Sequence, residues 1–387
     1  MFEFIIPQSF IGRPFAEKHF SKIVRFAKEQ HPFYQHFYAS NQSIPLLTRE
    51  ILQKNNVELL NGNPVTGKTS GATSKPVQTH WSKQRVELDS RDSQFFAKCL
   101  GGRLPHVKIV ALLAHDAKPN HFEVATPVIA QWQFLRSQID GGVKSLISYP
   151  TNLVQLSKYL LQTNQQVIEL QRIVCMSELF ESSQEEIIKK AFPNAQIAAT
   201  YSSTEVGMIA VRCPHYPDNY HIMAHKLGLE FLNEQGTPCL DGELGQIVIT
   251  DYFNRKMPLI RYVIGDLAAP TVCPCGKIPL PALTQLLGKS RGLLSHPDGS
   301  FVFSTVLSPT IRDIAGISQY QVQQLATDHF LIRLVALDGA NVAAIESQLL
   351  ALFVKNFGST IILRYDWCLE VPRLPGGKYM EFIGLSI

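Results

Sequence analysis

The chain has 387 residues, 45% of them apolar and 18% charged, with a formal net charge of +4. That length buries at least one large core and predicts two to three domains. The positive charge is spread without a Lys or Arg block, which argues against a nucleic-acid or anionic-membrane surface.

Met1-Phe2-Glu3-Phe4-Ile5-Ile6-Pro7 has an acid and a proline where a secretory signal has a basic region before a long apolar run, so no export is expected. Apolar runs such as Ile109-Val110-Ala111-Leu112-Leu113-Ala114 are too short to cross a bilayer. Seven cysteines without a signal predict a cytoplasmic protein with reduced thiols or metal ligands rather than a disulfide frame.

In chain order, Phe15 to Glu29 reads as an amphipathic helix, and Thr48 to Asn55 as a capped helix opened by Ile44-Pro45. Strands are expected at Lys108 to Ala114, Val143 to Ser148, Arg172 to Met176 and Ala195 to Thr200, with helices at Leu153 to Asn164 and Ser182 to Ala191. This alternation predicts an α/β unit. Strand-like runs at Leu229 to Leu232, Gly245 to Tyr252 and Leu259 to Val263, separated by Gly-bearing turns, predict an antiparallel subdomain. From Phe301 to Cys368 the order βαββαβ predicts a small ferredoxin-like α+β domain. The hinge is placed at Gly288 to Gly292, giving domains 1–287 and 288–387.

Thr69-Ser70-Gly71-Ala72-Thr73-Ser74-Lys75-Pro76 collects hydroxyls, glycine and a lysine, a composition suited to wrapping phosphate oxygens. The overlapping Gly62-Asn63-Pro64-Val65-Thr66-Gly67-Lys68-Thr69 matches the spacing G-x-x-x-x-G-K-T of a P-loop. That motif needs a strand before it and a helix after it, and Gly71 and Pro76 interrupt the required helix. An inert surface loop is the third reading.

Downstream lie Tyr201-Ser202-Ser203-Thr204-Glu205, Gly242-Glu243-Leu244-Gly245, Pro258 to Asp266, and Pro372-Arg373-Leu374-Pro375-Gly376-Gly377-Lys378. With the Thr69 loop, this ordered series resembles the adenylate-forming superfamily, whose elements read T-S-G-T-T-G-K-P, Y-G-S-T-E, G-E-x-G, P-L-I-R-Y-x-x-G-D and P-x-x-x-x-G-K. Cys273-Pro274-Cys275-Gly276-Lys277 before Gly288-Lys289 is similar to the C-x-C-G-R segment of the phenylacetate–CoA ligase and coenzyme F390 synthetase group.

The resemblance implies a large N-terminal adenylation domain with an antiparallel subdomain and a mobile C-terminal domain. It also implies an ATP- and Mg²⁺-dependent ligase that converts a carboxylic acid to an acyl- or aryl-adenylate and passes it to CoA, with a carrier protein or an amine as the alternative acceptor. By the same resemblance, Glu205 holds Mg²⁺, Thr204 contacts phosphate and Lys378 is the catalytic lysine. Nucleotide contacts are carried to Thr69, Ser70, Gly71, Thr73, Lys75, Tyr201, Ser202, Ser203 and Thr204, with Asp266 and Lys289 at the ribose. Tyr149, Ser177 and Glu178, at strand ends, are assigned to the acyl pocket, with cap or edge packing as the rival reading. Related enzymes often form homodimers.

The motifs depart from the family at Ala72, Ser74 and Ser202, at Lys289 in place of an arginine, and at Arg291-Gly292 in place of the hinge acid. A lysine cannot reproduce a guanidinium fork. The alternative from another class is therefore a non-catalytic nucleotide-binding protein with drifted motifs.

Cys273, Cys275 and Cys213 supply three sulfurs for a tetrahedral Zn²⁺ site, with His221, His215 or His225 as the fourth donor. The resemblance favours His221, followed by Glu230. Metal-free reduced thiols are the alternative. Cys99, Cys175, Cys239 and Cys368 have no partner pattern and read as small hydrophobes.

Overall fold

A computed structural model of the chain describes residues 13–39, 43–69, 76–104, 107–113, 120–233, 235–289, 293–296, 301–372 and 380–385. The N-terminal region supplies α1 (Arg13–Gln30), α2 (Pro32–Ala39), α3 (Arg49–Lys54) and α4 (Asn56–Leu60). The Thr48 hydroxyl accepts from the Ile51 amide and so starts α3. The two-residue strands β1 (Gly67–Lys68) and β2 (Gln78–Thr79) pair antiparallel. Gly67-Lys68 therefore lies in a hairpin strand rather than opening a helix, which removes the P-loop reading.

Then follow α5 (Lys83–Cys99), β3 (Lys108–Leu113), β4 (His121–Glu123), α6 (Val128–Asp140), β5 (Val143–Ser148), α7 (Pro150–Gln162), β6 (Arg172–Cys175), α8 (Ser182–Ala191) and β7 (Gln196–Ser203). Strands β4, β3, β5, β6 and β7 are parallel neighbours. Their buried positions are mostly apolar, as expected of a sheet covered on both faces, with Ser145 and Ser148 of β5 as buried polar exceptions. Pro150 starts α7, where its missing N–H costs no helix bond. A reciprocal capping box between Glu181 and Gln184 starts α8.

The sheet continues through β8 (Gly207–Arg212), β9 (Asn219–Ile222), β10 (Leu227–Leu232), β11 (Gly245–Asp251), β12 (Tyr262–Thr271) and β13 (Ala282–Lys289). These strands pair antiparallel in the order β7-β8-β9-β13-β12-β11-β10. The antiparallel subdomain is thus an extension of the parallel sheet. One core runs from α1 to β13 and includes Ile23, Leu47, Leu112, Leu153, Phe192 and Tyr262.

A second core joins Leu294, Leu307, Ile311, Phe330, Phe353 and Phe382. It belongs to β14 (Leu293–Ser295), β15 (Phe301–Phe303), α9 (Ser304–Asp313), β16 (Ile317–Ala326), β17 (His329–Ala336), α10 (Val342–Phe357), β18 (Ile362–Trp367) and β19 (Phe382–Ile383). The α+β class holds, but the strand order differs from the βαββαβ expectation. β15 pairs with β14, while the four-stranded sheet is ordered β18-β17-β16-β19. β19 takes the edge position parallel to β16, and β17 and β18 are parallel on either side of α10.

Arg312 of α9 joins the two cores. It donates to Glu181 and Ser183 of the large unit and to Glu381 beside β19, while Ser308 also donates to Glu181. Lys158 of α7 donates to the Ile317 carbonyl at 2.9 Å.

Candidate active site

The described parts of three expected motifs, at Thr69, Tyr201 to Glu205 and Tyr262 to Asp266, meet at the end of β7 and along β12. Tyr201 and Asp266 are 65 residues apart, yet the Tyr201 hydroxyl donates to Asp266 Oδ2 at 2.6 Å. Burial, followed by the Asp266 charge, pushes the Tyr201 hydroxyl well above its ordinary pKa and keeps it a donor. Asp266 lies beside Lys289 in the β12–β13 register.

The turn between β7 and β8 carries Thr204 and Glu205. Glu205 is buried, and its Oε1 accepts from Arg49 Nη1 at 2.9 Å and from the Tyr262 hydroxyl at 3.3 Å. Arg49 Nη2 also reaches Thr69 Oγ1 at 3.3 Å. Thr69 is fixed in turn by the Val77 amide, which donates to its hydroxyl at 2.9 Å. Thr204 lies beside the hairpin, since a Cβ added at Gly67 would meet its Cγ2 at 3.3 Å. The start of the Ser/Thr loop, the Glu205 turn and β12 therefore face one another. Burial opposes the Arg49 charge, but Tyr262 and Glu205 outweigh it and hold the guanidinium protonated. Burial and then Glu205 raise the Tyr262 hydroxyl, so it too remains a donor.

Ser202 and Ser203 end β7, and Ser203 Oγ accepts from the Val206 amide at 3.3 Å. Ser70, Gly71, Thr73, Lys75 and Lys378 lie outside the described residues, as do Ala72, Ser74, Arg291 and Gly292. Tyr149 and Ser177 stand just beyond β5 and β6, and Ser177 has a left-handed backbone with φ of 67°. Glu178 accepts from the Thr151 amide at 3.1 Å and from the Thr151 hydroxyl at 2.6 Å, so it serves the N-terminus of α7.

Sequence reasoning missed Arg49 and Tyr262. A signal for Arg49 was present: a cation in the first turn of a helix opposes the macrodipole and so calls for another partner.

The expected sulfur and imidazole donors also converge. Ligand atoms of Cys213, His221, Cys273 and Cys275 all lie within 4.8 Å of one another. His221 Nδ1 lies 3.3 Å from the Leu280 carbonyl, and Nε2 lies 3.6 Å from Cys275 Sγ. Three sulfurs and an imidazole oriented through its other nitrogen suit tetrahedral Zn²⁺. His225 instead pairs with Asp92 at 2.6 Å. Glu230 is held by Arg261, away from this donor set.

Among the described residues, no helix is long and apolar enough to cross a membrane. No family model matches the chain. The curated relative Protein CapK of Staphylococcus aureus is 24% identical over 250 residues, covering 61% of this chain and 51% of CapK. The chain thus spans about half the length of that relative.

Among solved structures, 2-hydroxyisobutyryl-CoA ligase in the postadenylation state with R3-HIB-AMP matches with a TM-score of 0.73 and 14% identity, over 95% of this chain and 88% of that one. The same ligase in the thioesterification state with 2-HIB-AMP and CoA matches over the same shares, at 14% identity and a TM-score of 0.59. The amide bond synthetase McbA of Marinactinospora thermotolerans matches with a TM-score of 0.56 and 14% identity, over 80% and 65% of the two chains. These likenesses bear out the resemblance read from the motifs: the chain has the fold of the adenylate-forming superfamily and is CapK-like in sequence.

Proposed function

We propose that the chain is an ATP-dependent, AMP-forming ligase that activates a carboxylic acid as its acyl- or aryl-adenylate. CoA is the proposed final acceptor. The observation that carries this reading is the meeting of Thr69, Arg49, Glu205 and Tyr262 beside the Tyr201–Asp266 pair.

In the proposed reaction a carboxylate oxygen attacks the α-phosphorus of ATP. A new oxygen–phosphorus bond forms, the bond to the bridging oxygen breaks, and pyrophosphate leaves. Both reactants are anions, so local positive charge has to offset their repulsion. Arg49 supplies a guanidinium at the start of the phosphate loop, and the assigned roles of Thr204 and the Thr69 to Lys75 loop are to hold phosphate oxygens. Asp266, oriented by Tyr201, accepts from the ribose hydroxyls, with Lys289 beside it. Lys378, on a mobile domain of residues 288–387, stabilises the charge developing in adenylation.

Glu205 is a hard oxygen donor suited to Mg²⁺, and its contacts to Arg49 and Tyr262 both fall on Oε1. Bound there, Mg²⁺ would neutralise phosphate charge. Zn²⁺ held by Cys213, His221, Cys273 and Cys275 would clip the turn before β13 to the loop after β8, a structural duty. Tyr149 and Ser177 line the acyl pocket, and Glu178 fixes its wall.

The test is ATP–pyrophosphate exchange with a panel of carboxylic acids, with and without Mg²⁺, followed by CoA, amine and carrier-protein acceptors. Exchange dependent on both acid and Mg²⁺ is expected. Nucleotide binding with no acid-dependent exchange would replace this reading with the non-catalytic one.

A further inference from the structure

The inward face of α5 is unusual. Arg85, Asp89, Asp92 and Phe96 recur at the four- and three-residue spacing of one helical face, so charges occupy positions that normally carry apolar side chains. Arg85 and Lys226 are fully buried, Asp251 is 1% exposed and Asp92 3%. Arg85 Nε binds Asp251 Oδ2 at 2.6 Å, while Lys226 Nζ lies 2.6 Å from Asp89 and 2.5 Å from Asp92.

This network ends on the backbone of the Glu205 turn. Arg85 Nη2 donates to the Val206 carbonyl, and Asp89 Oδ1 accepts from the Met208 amide at 3.2 Å. Gly207 between them has φ of +67°, and a Cβ there would lie 2.5 Å from Asp89 Oδ1 and 3.0 Å from Arg85 Nη2. The glycine therefore permits both the left-handed turn and the close approach of the charges.

Burying ions costs several kcal/mol each, and apolar side chains of similar volume often stabilise a fold as well or better. A buried network is thus weak evidence for stability, while its contacts here are spent on the peptide groups immediately after Glu205.

We propose that Arg85, Asp89 and Lys226 are positioning residues that clamp the Val206–Met208 backbone and thereby aim Glu205 and Thr204 at the nucleotide. Arg85 and Asp89 make the clamp, and Lys226 orients Asp89. The purpose assigned to the turn rests on the adenylation reading; the clamp itself does not.

Two readouts separate these claims. In Asp89→Asn, which keeps size and shape, amide exchange in a peptide spanning residues 203–208 should accelerate at least ~10-fold, with the β3–β6 peptides unchanged. Acid-dependent pyrophosphate exchange should show a KM for Mg²⁺·ATP raised ~10-fold or a kcat lowered to match, with the KM for the acid unchanged. Lys226→Met should reproduce both effects. If Asp89→Asn does not fold, Gly207→Ala, which leaves every charge in place, takes its role with the same expectations. A folded variant with unaltered exchange over 203–208 overturns the clamp, whatever its activity. Faster exchange with unaltered kinetics in an active enzyme overturns the positioning role. Wild-type protein without acid-dependent exchange defeats the adenylation reading, and the amide readout still decides the clamp.

Discussion

Arg49 and Glu205, 156 residues apart, form an ion pair at 2.9 Å that ties the first turn of α3 to the β7–β8 turn. The same guanidinium touches Thr69, so one side chain joins the start of the loop proposed to hold phosphate to the carboxylate assigned to Mg²⁺. Arg49→Ala should lower kcat/KM for ATP by about 100-fold, equivalent to about 2.7 kcal/mol. Arg49→Lys keeps the charge but loses the fork that reaches two partners, and an intermediate loss of about 10-fold is expected. Pyrophosphate exchange beside a melting curve checks both. A normal rate in folded Arg49→Ala would remove Arg49 from the site.

Tyr201→Phe keeps the ring and removes the donor to Asp266 Oδ2. Hydrogen bonds to charged groups contribute about 1.5–3 kcal/mol. Nucleotide affinity should therefore fall by roughly 10- to 100-fold, with little change in the KM for the acid. Calorimetric titration with ATP and with AMP measures this. Equal losses for the two nucleotides are expected, because Asp266 is assigned to the ribose they share.

Metal analysis of freshly purified, untagged protein should find one equivalent of zinc. Cys275→Ser should release it and lower the melting temperature, while residual folded enzyme keeps its KM for ATP. Absence of metal from the wild-type protein would leave the Cys213–His221–Cys273–Cys275 cluster as reduced thiols.

These contacts were unequally legible in the sequence. Val143–Ser148 and Ser182–Ala191 stand where the apolar runs and cap residues place them, because each element carries its own stop signals. Tyr201, Glu205 and Asp266 were legible through motif order. Helix α5 escaped because its inward face is charged, which defeats a reading based on apolar periodicity. The C-terminal strand order was misread for a different reason. The edge strand β19 is two residues long and too short to show alternation, while the strand expected at Phe301 to Ser304 pairs with β14 outside the four-stranded sheet.

The charge cluster predicts an acid limb of stability. Burial raises the Asp89 carboxyl, but Lys226, Arg85 and the Met208 amide outweigh it and hold the folded-state pKa below the ordinary value. Just below that ordinary value, near 3.9, the unfolded chain binds more protons, so stability rises with pH. The contribution is complete above the ordinary value and is lost as pH falls through the folded one. Urea midpoints between about pH 3 and 6 should fall toward acid in wild type. Asp89→Asn, which cannot titrate, should give a flatter limb.

The junction between the two cores predicts separable half-reactions. Arg312 is 6% exposed and gripped by Glu181 from the large unit and Glu381 from the small one. Burial opposes its charge, and Tyr320, Glu381 and Glu181 outweigh that effect to keep it ionised. On the proposed reading, a rotation of residues 288–387 between adenylation and acyl transfer would break the Glu181 contact, whereas Glu381 would move with Arg312. Glu181→Gln removes the charge on the stationary side only. It should slow pyrophosphate exchange by about 10-fold, equivalent to about 1.4 kcal/mol, and leave acyl transfer from preformed adenylate unchanged or faster. Equal slowing of both steps would make the pair a simple structural tie, because a contact required in one arrangement alone cannot retard the step that proceeds without it.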